Sequence, residues 1–259
     1  MKNIFLPSVT AVMLFTSCVA QNNMHTVLYK QGNAELEGYL AKPSNAGKAP
    51  GIVIIHAWMG ITAHEQNTAD RLAALGYYAL DADIYGKGIR PENAKEAGQL
   101  AQQYEVKDYK TYLARIQAAI DEIIKQGADK NNIAVIGYCF GGFGAISAAR
   151  NNFPVKGIVS FHGGLLKDPD NAATPVTPKL LILHGNDDPF QTPNADADIR
   201  KELEARNADY QMVYFGHTVH SFTDKTAGTD ISKGAAYNAS SDKRSWQYML
   251  DFLKEIFDK

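Results

Sequence analysis

Apolar and polar positions follow two different patterns along this chain. They alternate over residues 26–29 and 36–40, on either side of Gly32 and Asn33, which is the pattern of an antiparallel β-hairpin. Residues 51–55 then form an unbroken apolar run, which is typical of a strand buried on both faces of a sheet. After this run, short apolar strand patterns alternate with longer amphipathic helical ones.

The alternation continues to the end of the chain. Predicted strands cover residues 26–29, 36–40, 51–55, 77–80, 133–136, 155–161, 178–184 and 210–214. Predicted helices cover residues 108–125, 145–150, 194–206 and 245–257, and a further helix ends over 69–75. Strands that alternate with helices predict an α/β fold, with a mostly parallel sheet covered by helices on both faces.

Composition and charge narrow the range of possible partners. The 259 residues are 45% hydrophobic, enough for one large core, so we expect a single domain over residues 21–259. The formal net charge of −2 does not indicate a nucleic-acid-binding surface. We therefore expect a small-molecule partner and no cofactor. The sequence does not predict an oligomeric state.

The first 20 residues have the features of an export signal. Lys2 precedes an apolar stretch over residues 4–15 that is too short for a stable membrane anchor. In a lipoprotein-type signal Cys18 would be lipidated, although Phe15 stands where leucine is usual; ordinary cleavage after Ala20 would remove Cys18. We favour the lipoprotein, because a lone cysteine at the end of an apolar signal stretch has few roles besides lipidation. Either route predicts an exported protein, periplasmic or membrane-anchored.

Residues capable of chemistry cluster directly after the predicted strands. In parallel sheets, ligands bind beyond the carboxyl ends of the strands, so these segments should meet at one edge. This clustering indicates an active site. The segments are 56–60, 81–87, Cys139, 162–164, 184–189 and 216–222.

The segment around Cys139 has the pattern of a strand, a sharp turn and a helix. Gly137, Gly141 and Gly142 surround the thiol in the form Gly-x-Cys-x-Gly, which matches the nucleophile elbow with sulfur in place of a hydroxyl. A thiol at a helix N-terminus is a favoured site for an anion, and the Phe140 amide would face an oxyanion. The alternative is a buried structural cysteine beside a glycine-rich turn.

A nucleophilic thiol needs a base and an acid that orients it. The order nucleophile, acid, histidine is met by Cys139, then Asp187 or Asp188, then His217 or His220. Asp188 is favoured over Asp187, because Pro189 biases it towards an extended or turn conformation. Spacing alone does not separate the two histidines.

Three motifs together resemble the dienelactone hydrolase family, which has the α/β-hydrolase fold and a Cys-Asp-His triad. They are Gly-Tyr-Cys-Phe-Gly-Gly at 137–142, His-Gly-Asn-Asp-Asp-Pro at 184–189 and His-Ser-Phe at 220–222. The resemblance covers the chain from about residue 26 to its end. It implies an ester or lactone hydrolase with a thioacyl intermediate. The implied site comprises the triad Cys139, Asp188 and His220, the oxyanion amides of Trp58 and Phe140, and the substrate-binding residues Tyr85, Lys87 and Tyr138.

Two positions depart from this family pattern. Ala57 stands where family members usually have a glutamate that contacts the resting thiol, so Cys139 would rest as a thiolate–imidazolium pair with His220 or depend wholly on that histidine. Asp224 stands where the family has an arginine that grips the substrate carboxylate. An anion at this position predicts a preference for neutral acyl groups, unless Lys87, Arg90 or Lys225 compensates.

Two other functions compete with hydrolysis. A surface lipoprotein could keep the fold and use the pocket only to bind a ligand or partner, since fold alone does not dictate function. A metal or redox site could use His56, His64, His162 and Cys139. The chain has no Cys-x-x-Cys or His-Glu-x-x-His motif, and with two cysteines in all it offers no resolving thiol after signal removal, so we predict no metal site.

Overall fold

The computed structural model describes residues 25–45, 47–170 and 173–257. The predicted signal segment and Cys18 lie outside the described residues. One eight-stranded sheet has the strand order β1-β2-β4-β3-β5-β6-β7-β8. The strands are β1 (His25–Gln31), β2 (Ala34–Ala41), β3 (Gly51–Ile55), β4 (Tyr78–Ala82), β5 (Ile133–Tyr138), β6 (Gly157–Phe161), β7 (Lys179–Gly185) and β8 (Tyr210–Phe215).

The sheet is mostly parallel. The predicted hairpin is confirmed as β1 and β2, and β2 also pairs antiparallel with β4, while all other neighbours run parallel. Strands β3 and β5 lie at its centre and every residue in them is buried, which explains their unbroken apolar runs. The parallel strands therefore end together at one edge, here called the carboxyl edge.

Helices cover both faces of the sheet, as predicted. The part of the chain that the structure describes contains six α-helices, α1 (Ala63–Ala74), α2 (Ala94–Gln102), α3 (Tyr109–Lys125), α4 (Phe140–Arg150), α5 (Ala195–Ala205) and α6 (Ala239–Ile256). Helices α1 and α6 contribute to the core on one face, and α3, α4 and α5 contribute to the core on the other. Within the described residues, no helix is both long and apolar enough to cross a bilayer.

Several helical elements differ from the prediction. Helix α2 and the π-helical turn Gln103–Lys107 that follows it have no counterpart among the predicted elements. Helix α6 begins at Ala239 rather than at Ser245, because the Asn238 side chain accepts hydrogen bonds from the amides of Ser240 and Ser241 and caps the earlier start.

Candidate active site

Cys139 occupies the turn between β5 and α4. Its φ of 54° and ψ of −114° put a non-glycine residue in a sparsely populated conformation of the kind that clusters at functional sites. Side chains on the flanking glycines would not fit, since a Cβ on Gly137 would overlap the Gly141 carbonyl and one on Gly141 would overlap the Ile55 carbonyl. The glycines therefore allow α4 to start directly at the end of the strand, and the thiol lies at the entrance to that helix.

A continuous polar chain joins Cys139 to His220 and Asp188. The sulfur is 3.0 Å from His220 Nε2, and His220 Nδ1 is 2.8 Å from Asp188 Oδ2. The Asp188 carboxylate is fully buried and also accepts a hydrogen bond from the Phe190 amide at 2.9 Å. The carboxylate can thus hold the imidazole with Nδ1 protonated, which leaves Nε2 to exchange a proton with the sulfur.

The structure separates the two Asp–His pairs that spacing left open. His217 Nδ1 is 3.9 Å from Asp187 Oδ2, and the His217 side chain is fully exposed. Only the pair Asp188 and His220 makes the contact with Cys139 described above. Both His217 and Ser221 have positive φ, at 55° and 57°, so the chain reverses direction on each side of His220 and turns this histidine inwards.

Electrostatics favour a charged pair at this site. Burial would lower the pKa of His220, but the negative charge of Cys139 and the hydrogen bond to Asp188 outweigh it and raise this pKa to about 10. Burial opposes ionisation of Asp188, whereas hydrogen bonds from His220 and the Phe190 amide hold its pKa below the ordinary value. The two shifts favour a protonated His220 beside an ionised Asp188.

The loop after β3 carries Trp58, the second predicted oxyanion donor. Among the described residues, its amide donates to no other protein group. Phe140 is the first residue of α4, so its amide lacks an acceptor within the helix. Both amides are therefore available to a ligand, as an oxyanion site requires.

Several contacts fix that loop. Glu65 Oε1 accepts a hydrogen bond from the Ala57 amide at 3.1 Å, while Oε2 accepts from the amide and hydroxyl of Thr62 at 2.9 and 2.6 Å. Tyr85 donates its hydroxyl to the Trp58 carbonyl at 2.8 Å. His56 Nδ1 is 2.7 Å from the Ala57 carbonyl, and its Nε2 accepts from the Ile84 amide. One buried carboxylate, that of Glu65, thus bridges both ends of the loop.

The predicted substrate-binding residues occupy three different settings. Tyr85 is fully buried and supports the Trp58 loop, and Tyr138 is buried with its hydroxyl 3.2 Å from that of Thr68. Lys87 is exposed and pairs with Glu35 at 3.2 Å. Direct contact of these three residues with substrate stays a prediction.

Asp224 belongs to a neighbouring cavity. Its carboxylate caps a short turn by accepting from the amide and hydroxyl of Thr226 at 2.8 and 2.7 Å. The cavity measures about 700 Å³, and its lining includes Tyr138, Thr223 and Lys225 but neither Cys139 nor His220. The position of the family arginine is therefore occupied by an anion that has hydrogen bonds of its own.

Sequence reasoning missed the role of Glu65. Its signal was present, because Thr62 and Glu65 form the Thr-x-x-Glu pattern of a capping box at the start of α1. Little in the sequence indicates that Phe190 contacts His220, with ring centres 5.3 Å apart, since the residues are far apart in the chain. His162, which follows β6, and His184, near the end of β7, are both buried.

Comparison with known proteins shows the family of the chain. A model of the dienelactone hydrolase family matches residues 36–257. The chain is 26% identical over 243 residues to a Yersinia pestis protein named "Putative carboxymethylenebutenolidase", covering 89% of this chain and 87% of that one. It is also similar to the crystal structure of a dienelactone hydrolase-like promiscuous phosphotriesterase from metagenomic libraries, with 34% identity and a TM-score of 0.84, covering 90% of this chain and 98% of that one.

Proposed function

The chain belongs to the dienelactone hydrolase family and is a hydrolase of carboxylic esters or lactones, and from this premise we propose that it works through Cys139, His220 and Asp188 with a thioacyl-enzyme intermediate. The observation that carries the proposal is the chain of contacts from sulfur to imidazole to buried carboxylate, at 3.0 and 2.8 Å. Its substrate is a small molecule. Family membership favours catalysis over the binding-only alternative.

In the first half-reaction the Cys139 sulfur attacks the carbonyl carbon and a C–S bond forms. The carbonyl electron pair moves to oxygen, and this oxyanion accepts hydrogen bonds from the amides of Trp58 and Phe140. When the carbonyl reforms, the C–O bond to the leaving group breaks. His220 gives its Nε2 proton to the leaving oxygen, and a thioester remains on Cys139.

In the second half-reaction water attacks the thioester carbon. His220 accepts a proton from this water, and the same amides hold the second oxyanion. The C–S bond then breaks, which releases the carboxylic acid and restores the sulfur. Asp188 stabilises the imidazolium in both halves, because it accepts a hydrogen bond from Nδ1 throughout.

The absence of the family glutamate at Ala57 affects the resting state. No carboxylate from that position can compete for the thiol, so we propose that Cys139 and His220 rest as a thiolate–imidazolium pair. The raised pKa of His220 supports this, since burial is outweighed by its anionic neighbours. Glu65 does not replace the missing side chain, because it accepts hydrogen bonds from backbone groups of the loop instead.

The test is to trap the intermediate. The protein is mixed with 4-nitrophenyl acetate, quenched in acid during turnover and digested, and the mass of the peptide that carries Cys139 is measured by mass spectrometry. We expect an acetyl group on this peptide and at least about a 10³-fold lower rate for Cys139→Ala. Full turnover by the folded alanine variant, or an acetyl group that persists without turnover, would contradict the thioacyl route.

Export is a separate proposal that rests on the sequence of the first 20 residues. We propose that Cys18 is lipidated and holds the enzyme on a membrane. Fractionation of cells that express the full chain and Cys18→Ser tests this, with the native protein in membranes and the variant released. Recovery of both the native protein and the Cys18→Ser variant in the soluble fraction would contradict lipidation of Cys18.

A further inference from the structure

Exposed apolar side chains concentrate at the carboxyl edge of the sheet. Within the described residues, ten large apolar side chains are exposed, and six of them lie in segments that leave the carboxyl ends of strands. Clusters of this kind mark binding surfaces more often than single exposed residues do. The six are Trp58, Ile89, Val106, Leu166, Phe190 and Ile231.

Two of these residues, Phe190 and Ile231, form what we call the apolar wall. The Phe190 ring stands perpendicular to the His220 ring, with centres 5.3 Å apart, and is 62% exposed. Ile231, which is 63% exposed, begins the short turn that ends at Gly234. A Cβ on Gly234 would lie 3.2 Å from Phe190 Cζ, so the turn carrying Ile231 packs against the phenylalanine.

The wall is held in place from both sides. The Phe190 amide donates to Asp188, and the next side chain, Gln191, accepts from the Leu165 amide at 2.9 Å. On the other side the His220 amide donates to the Gly234 carbonyl at 3.1 Å. A fixed apolar surface loses little conformational entropy when a ligand covers it.

The position of the wall identifies the part of the substrate that it meets. His220 must deliver its proton to the leaving oxygen, so the leaving group lies beside the imidazole that Phe190 flanks. Phe190 and Ile231 supply apolar contact on this side of the site, and Lys233, in the same turn as Ile231, is exposed to water.

We propose that the enzyme prefers esters whose alcohol part carries an extended apolar group, which lies on Phe190 and Ile231. This inference rests on the proposed function and adds the class of leaving group to it.

The test compares three neutral esters by pH-stat: ethyl acetate, hexyl acetate and ethyl hexanoate. Ethanol and hexanol are leaving groups of similar acidity, so the ratio of kcat/KM for hexyl acetate to that for ethyl acetate reports contact with the chain. We expect Phe190→Ser to lower this ratio about tenfold and Ile231→Ser about threefold, from the apolar area that each removes. The ratio of ethyl hexanoate to ethyl acetate should stay constant.

The matched control is Leu75→Ser. Leu75 is 52% exposed and follows α1, on the path to the start of β4, so it lies at the opposite edge of the sheet. This variant should keep both ratios and the native rate. Unchanged hexyl acetate ratios in both wall variants would overturn the inference, as would a loss confined to ethyl hexanoate. Hydrolysis of none of the esters by the intact protein would instead overturn the proposed function.

Discussion

Two Asp–His pairs stand side by side among the described residues, and only one of them contacts the Cys139 sulfur. Asp188 and His220 are 2.8 Å apart and largely buried, whereas Asp187 and His217 are 3.9 Å apart and exposed. The residue types are identical and the aspartates are neighbours in sequence. Each aspartate also accepts one further hydrogen bond, so burial rather than residue type or hydrogen-bond number separates the two carboxylates.

The largest effect expected from this comparison is that of Asp188→Asn. An amide in place of the carboxylate removes the charge that stabilises the imidazolium and allows the wrong tautomer, so kcat should fall about 10³- to 10⁴-fold. Asp187→Asn is the matched control and should stay within about twofold of the native rate. Steady-state kinetics with 4-nitrophenyl acetate checks both variants. Similar losses in the two would show that the buried pair has no special role.

Glu65→Gln extends the comparison to a second buried carboxylate. Loss of the Glu65 carboxylate, which accepts from the Ala57 and Thr62 amides, should loosen the Trp58 loop. We expect kcat to fall about 10- to 100-fold with little change in KM, because the oxyanion forms only after attack.

Glu96 provides the control for this substitution. It accepts hydrogen bonds at the start of α2, from the Glu92 amide and the Asn93 side chain, but on an exposed surface. Glu96→Gln should cost some stability and leave kcat unchanged. If Glu65→Gln lowered the melting temperature alone, Glu65 would act only as a helix cap.

The pH dependence of stability should show that the pKa of the buried His220 depends on Cys139 and Asp188. The pKa of His220, which burial lowers and the Cys139 charge and Asp188 raise, lies at about 10, against an ordinary value of 6.5. Because folding raises this pKa, protonated His220 stabilises the fold fully below pH 6.5, and the contribution is lost as the pH rises towards 10.

Cys139→Ala removes the proposed thiolate, so the His220 pKa should fall and the alkaline loss of stability should begin at lower pH. Proton NMR of the imidazole, together with melting temperatures from about pH 6 to about pH 10, measures both. Identical His220 titration in the native protein and the variant would contradict a thiolate–imidazolium pair.

Much of this arrangement could be predicted from sequence, because it depends on local patterns. The unbroken apolar runs of β3 and β5 identify the centre of the sheet, and the glycines around Cys139 identify the elbow. Helix α2 was missed although Ala97 is buried and Leu100 and Ala101 pack against the core, because Gly98 interrupts the segment and Leu100 is its only large apolar residue.

The choice between the two Asp–His pairs could not be made from spacing. It depends on the positive φ values of His217 and Ser221, and neither residue is a glycine whose presence would indicate such a turn. The support of the Trp58 loop by Tyr85 was also hidden, since it joins residues 27 positions apart through one hydroxyl.

The smallest effect on stability and catalysis is expected for Lys87→Ala, because Lys87 belongs to an exposed ion pair. Its amine pairs with Glu35, and both side chains are accessible to water, so the pair should contribute less than about 1 kcal/mol to stability. If Lys87 is occupied by Glu35 rather than by substrate, KM should change less than about twofold for a neutral ester and for an ester with an acidic acyl part. Glu35→Ala is the informative companion, because it frees the amine. A tenfold rise in KM for the acidic ester in Lys87→Ala, or a tenfold fall in Glu35→Ala, would show that Lys87 binds the substrate anion despite its exposure. Exposure of an ion pair would then not predict that the pair has no effect on catalysis.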